Sequence, residues 1–238
     1  MAQFEVTPQS AFAPVAAASA ERVTAFLRKV YGWMCVGLGV TAVVALGVAS
    51  SPALLQTIRT NRFLFFGLFI AELGLVFYLS ARVSKLAPAT AAGLFLLYSA
   101  LNGVLLSTIF LLYTGTSVAT TFLVTAGMFG ALALYGTTTK RSLAGVGQFA
   151  FMGLIGVIVA SIVGLFWHND ALQFMIAFAG VIVFTGLTAW DAQRLKAMAT
   201  ALPDGQVGSH TIVGALSLYL NFINLFLMLL RLMGGRRD

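Results

Sequence analysis

Seven stretches of about 20 residues, each almost free of charge, follow one another along this chain, and that pattern limits what it can fold into. They lie at about 30–50, 62–82, 88–112, 117–137, 145–167, 171–193 and 210–232. At about 1.5 Å rise per residue, each run crosses the roughly 30 Å of hydrocarbon in a bilayer as a helix. A soluble core cannot absorb this much apolar sequence: 60% of the 238 residues are hydrophobic and 9% charged, where a soluble domain carries about a quarter charged. Strands of a membrane β-barrel alternate in polarity over about ten residues, and these runs are uniformly apolar for twice that length. The expectation is an all-α integral membrane protein of about seven transmembrane helices. Residues 1–20 read as a flexible tail and 21–238 as a single membrane domain.

The breaks between runs have local causes. Ser51-Pro52 stops the first, Pro88 suits the first turn of the third, and Gly234-Gly235 ends the last. Asn61, Thr116 and Asn169 are placed as N-caps. Only the stretch from Lys196 to Ser209, with Pro203-Asp204-Gly205, is long enough for a visible loop. Gly156, Ala160 and Gly164 repeat at four-residue spacing on the fifth run, the pattern of close membrane packing rather than of a dedicated dimer face.

Basic residues fix the expected orientation. With the N-terminus cytoplasmic, the inner segments hold Arg22, Arg28, Lys29, Arg82, Lys85, Lys140, Arg141, Arg194 and Lys196, against Arg59 and Arg62 outside. Arg231, Arg236 and Arg237 run against that rule, because seven crossings place them outside. Glu5 and the prolines at 8 and 14 do not make a cleaved signal peptide, so the first run reads as an uncleaved span in the inner (plasma) membrane. The formal charge of +7 sits at the ends of apolar runs, where it meets lipid headgroups, so the bilayer and not nucleic acid is the expected partner. Cys35 is the only cysteine, which excludes an intrachain disulfide.

Polar side chains inside the runs cost about 2.5–3.5 kcal/mol each when charged, so they mark candidate sites. Glu72 sits near the middle of the second run and must be protonated, paired or facing water. Asp191, at the cytoplasmic end of the sixth, shares a depth with Arg82; it is either an interfacial carboxylate, solvated or paired with Arg194, or one bridged to Arg82. Arg82 reads equally as an orienting charge that snorkels to the interface. Asn102, Asn221 and Asn224 either join helices through hydrogen bonds or line an ion path.

Enzyme chemistry finds no support. Metal-dependent membrane hydrolases need several converging His, Asp or Glu ligands, and His168 and His210 both lie at span ends. A two-aspartate protease needs a second buried aspartate beside Asp191. No Gly-Lys phosphate-cradling motif is present. A catalytic role, a cofactor and a tightly bound metal are therefore not expected.

The segments Trp190-Asp191-Ala192-Gln193 and Ala215 to Phe226 (ALSLYLNFINLF), with Ala71-Glu72-Leu73-Gly74, resemble the Bax inhibitor-1 family, most closely its bacterial branch, over nearly all the chain after residue 20. The resemblance implies that the last helix is central and wrapped by the other six. It also implies a pH-sensitive calcium leak, in which two aspartates on the last two spans share a proton and an arginine on the second span latches to them. Asp191 matches the first aspartate, and Arg82 matches the latch by span and depth. Asn221 stands where the second aspartate is expected, and it cannot hold a titrating charge. A leak with a weakened pH sensor is thus implied, calcium being the partner ion. The competing implication is a non-conducting regulator of a membrane-bound quality-control protease or stress response.

Overall fold

The computed structural model describes residues 9–82, 85–167, 169–203 and 207–235. Its helices are α1 (Gln9–Ala49), α2 (Pro52–Thr60), α3 (Arg62–Arg82), α4 (Pro88–Leu106), α5 (Ile109–Leu112), α6 (Gly115–Thr138), α7 (Ala144–Phe166), α8 (Asp170–Ala201) and α9 (Val207–Met233), and the described residues contain no strand. Seven segments are long and apolar enough to cross a bilayer: Ala20–Ala49 of α1, α3, Pro88–Leu112, α6, α7, α8 and α9. The protein is an all-α multi-pass membrane protein, as its apolar runs require.

The expected punctuation holds at most ends. Pro52 and Pro88 occupy first-turn positions, where the missing N–H costs nothing. Asn61 Oδ1 accepts from the Leu64 amide, and Asn169 Oδ1 accepts from those of Ala171 and Leu172. The fourth span differs: Thr114, not Thr116, accepts from the Ser117 amide and caps α6. The third is interrupted at Ser107 and Thr108, whose hydroxyls bond the Val104 and Leu105 carbonyls. Side chains that compete for backbone acceptors in this way loosen a helix.

Two differences in length bear on the site. α8 does not stop near residue 193 but continues to Ala201, so that 32 residues, about 48 Å of helix, exceed the hydrocarbon slab. The loop expected from Lys196 to Ser209 shrinks accordingly; Asp204 and Gly205 lie outside the described residues, as do His168, Arg236 and Arg237. Of the first 20 residues, 9–20 continue α1 as helix and 1–8 lie outside the described residues.

The helices sort by enclosure. In α9, 67% of the most apolar stretch is buried, against 11% in α3 and 17% in α7, which present Phe63, Phe66, Phe149 and Leu165 outward. Patches of that size face water in no ordinary soluble protein; here they face lipid. α9 packs mainly against α8, α1, α6 and α4, while α3 leans chiefly on α4 and α7 on α8. Close approach comes from small residues: Gly147 lies against Trp190, Gly153 against Val183, and Gly103 against Thr41 and Val44. In the expected four-residue stripe, by contrast, Gly156 faces open space and Gly164 meets Gln173.

Candidate functional site

Asp191 and Asn221 meet in the α8–α9 seam. Both are enclosed, with 5% and 6% of their surface exposed. Asn221 Nδ2 donates to Asp191 Oδ2 over 2.8 Å, and the Ser217 hydroxyl, one turn earlier on α9, donates to the same oxygen over 2.6 Å. Side chains at i and i+4 share a helix face, so the spacing of Ser217 and Asn221 makes a two-donor cradle for one carboxylate oxygen. The other oxygen, Oδ1, lies 3.1 Å from Arg194 Nη2, as an ion contact without an aligned hydrogen bond.

Arg194 is three residues from Asp191 on the same helix, 45% exposed, and lies over the Trp190 ring at 5.0 Å. Arg82, expected at Asp191 by depth, is not brought there: it is exposed at the end of α3, whose main neighbour is α4 and not α8. A shared depth places two residues in one plane of the bilayer but not on adjacent helices. The partner of Asp191 is the local arginine.

The seam is held from outside as well. A side chain at Gly136 would meet the Ala189 carbonyl and the Ala192 methyl, so glycine lets α6 lie directly on α8. Gln193 accepts from the Leu143 amide over 2.8 Å and donates to the Arg141 carbonyl over 2.9 Å. Lys196 Nζ donates to the Thr137 carbonyl over 2.7 Å. These contacts fix α8 against the α6–α7 turn just past Asp191, leaving the carboxylate close to the basic end of the bundle yet enclosed by neighbouring helices.

A second polar cluster lies deeper. Glu72 and Asn102 are each 8% exposed, and Glu72 Oε1 and Asn102 Oδ1 have no hydrogen-bond partner among the described residues. Asn102 Nδ2 donates to the Tyr98 hydroxyl over 3.3 Å. Glu72 is near enough to act electrostatically on the hydroxyls of Tyr98 and Tyr219, whose rings meet edge to face at 5.7 Å. Thr41 Oγ1 donates to the Ser99 carbonyl over 2.9 Å and lies 2.6 Å from the Tyr219 hydroxyl. A threonine has one proton to give, so Tyr219 is the donor in the second bond. Asn224 joins neither cluster; its Nδ2 donates to the Leu220 carbonyl of its own helix over 2.8 Å.

Sequence reasoning missed Ser217, Thr41, Tyr98 and Tyr219. Ser217 and Tyr98 were detectable from their i, i+4 spacing to Asn221 and Asn102; Thr41 and Tyr219 look like ordinary helix residues until α1 and α9 are assembled. Among the described residues, no three His, Cys, Asp or Glu side chains converge to hold a metal ion.

The family described as "Inhibitor of apoptosis-promoting Bax1" matches residues 23–238. Inner membrane protein YbhL of Escherichia coli K12 is 51% identical over 215 residues, covering 89% of this chain and 92% of its own. An uncharacterized protein of Borreliella burgdorferi is 43% identical over 215 residues, with 90% and 93% covered, and one of Rickettsia prowazekii is 40% identical over 219, with 92% of each. With the match running from the start of the first span to the end of the chain, the protein belongs to the Bax inhibitor-1 family, among its bacterial members.

Proposed function

We propose that this protein is a passive cation leak with calcium as its favoured ion, gated at the basic end by the Asp191 carboxylate. The observation that carries the reading is a buried carboxylate in the α8–α9 seam whose Oδ1 accepts no hydrogen bond among the described residues and lies 3.1 Å from the half-exposed Arg194. Carboxylate, amide and hydroxyl oxygens are the ligands calcium prefers; Asp191 supplies the carboxylate, and Asn221 and Ser217, which donate to it, must turn their oxygens to join an ion there. Glu72 and Asn102, each with an unpartnered oxygen, are a second acidic and amide station deeper in the bundle. Because Arg194 and Asp191 share a helix, parting this ion contact takes a side-chain movement and no helix displacement.

The basic end is taken to face the cytoplasm, following the bias of Lys and Arg, and the membrane is the inner membrane named for the YbhL relative. The pH response is weakened because Asn221 has no proton to share with Asp191. Catalysis and a bound cofactor have no part in the proposal.

The test is calcium flux into proteoliposomes of the purified chain across roughly pH 6 to 8, the range where a shared carboxylate proton would register. Expected are flux above empty vesicles with a shallow pH dependence, loss with Asp191→Ala, gain with Arg194→Gln, and no change with Arg82→Gln. Parent and Asp191→Ala both matching empty vesicles at every pH would end the proposal. A non-conducting regulator of a membrane-bound protease would then be the reading left, checked by whether removing residues 1–20 abolishes co-purification with the protease.

A further inference from the structure

Away from Asp191, a cleft of about 900 Å³ opens at the basic end between α1 and α4, floored by the end of α8 and the start of α9. That is near the upper limit of ordinary small-molecule sites, about 300–1,000 Å³. Among the described residues its walls are apolar or small, and the two charged lining residues, Arg22 and Lys29, are both basic. Arg22 also donates to the Leu202 carbonyl, tying the rim of the cleft to the end of α8.

Helix register gives the depth of each group. Gly37 lies against Phe95 and Ser99, Thr41 bonds the Ser99 carbonyl, and Gly103 lies against Thr41, so α1 and α4 run parallel with an offset of about 60 residues. Lys29 is therefore level with Ala89, at the start of the α4 span, and Trp33 is level with Gly93 about one turn deeper. Cations at headgroup height, a tryptophan just below and aliphatic walls beneath form a polarity gradient that matches half of a bilayer. From Arg22 to Trp33 the cleft extends eleven residues along α1, about 16 Å.

We propose that this cleft binds one anionic phospholipid from the leaflet on the basic side. The phosphate sits at Lys29 and Arg22, and the upper acyl chain lies against Phe26, Trp33 and Leu96. A soluble anion would satisfy the cations and leave the apolar walls unused; a zwitterionic lipid would use the walls and bring its own cation to Lys29. The anionic lipid alone matches both halves. Each basic residue near an anionic headgroup contributes about a fivefold gain in binding.

Gly93 supplies a plug that does not threaten folding. It lines the cleft, and a Cβ added there meets no atom within 4 Å, so Gly93→Leu projects into open cleft space. The experiment is native mass spectrometry of the detergent-purified full chain with equal amounts of phosphatidylglycerol and phosphatidylcholine. One phosphatidylglycerol should be retained in clear preference, an excess of inorganic phosphate should not displace it, and Lys29→Arg should preserve it. Lys29→Gln should cut the preference about fivefold, and Gly93→Leu should abolish retention while thermal stability stays at the parent value. Equal retention of both lipids, retention indifferent to Lys29→Gln and Gly93→Leu, or displacement by inorganic phosphate would each overturn the proposal.

Discussion

Replacing Asn221 by leucine, nearly its isostere, removes one of the two donors to Asp191 Oδ2 without opening a cavity. A hydrogen bond to a charged group contributes about 1.5–3 kcal/mol in proteins generally. Helix–helix hydrogen bonds within membranes average only about 0.6 and reach about 1.7, because the unfolded state in the membrane finds other partners. The carboxylate accepts two hydrogen bonds on one oxygen and is 5% exposed, which argues for the upper part of the membrane range; about 1.5 kcal/mol is the expected cost of Asn221→Leu. Asp191→Leu should cost more, about 2–3 kcal/mol, since it strands the Asn221 amide and the Ser217 hydroxyl together. The double variant removes both ends of the 2.8 Å bond and should fall short of the sum of the singles by about 1–1.5 kcal/mol. Reversible unfolding in mixed micelles of the parent, both singles and the double gives that coupling directly. A coupling below about 0.3 kcal/mol, within the ordinary error of additivity, would refute the claim that this contact joins the two helices energetically.

Asn221→Asp places a second carboxylate beside Asp191; since two adjacent carboxylates cannot both ionise cheaply, stability and calcium flux should become more pH-dependent than in the parent, with stability falling more steeply as pH rises, in paired thermal-melt series. Gly136→Leu forces a side chain against the Ala189 carbonyl and should separate α6 from α8, lowering the free energy of unfolding by about 2 kcal/mol in the same micelle titration. Tyr219→Phe removes only the donor to Thr41 and should cost about 1 kcal/mol, whereas Thr41→Val strands the buried Tyr219 hydroxyl and should cost more, about 1–3 kcal/mol; the order of the two variants is the test.

How far the sequence reaches depends on which solvent a residue meets. Apolar runs, prolines and the caps Asn61 and Asn169 were legible because bilayer thickness and helix-end chemistry act on contiguous residues. Asp191 and Asn221 were legible as a pair only through a family likeness, since they stand 30 positions apart in the chain. Depth alone misplaced Arg82: all seven helices share the same bilayer coordinate, so matching depth leaves the neighbour undetermined. Adjacency is set by where small residues let backbones meet, as at Gly136 and Gly103, and that pattern is dispersed among 24 glycines of similar context. The same reasoning explains why Thr41, Tyr98 and Tyr219 escaped notice. Thr41 and Tyr219 are halves of a bond between helices that only packing brings together, and the Tyr98 ring meets Tyr219 across the α4–α9 boundary. In a bundle surrounded by lipid, a buried polar group often needs a partner that its own segment does not encode, and the two buried carboxylates are where that dependence is greatest. Asp191 has acquired three partners on two helices, while Glu72 Oε1 has none among the described residues. That asymmetry follows from which helices meet, since α9 brings two donors to Asp191 and none reaches Glu72 Oε1 among the described residues.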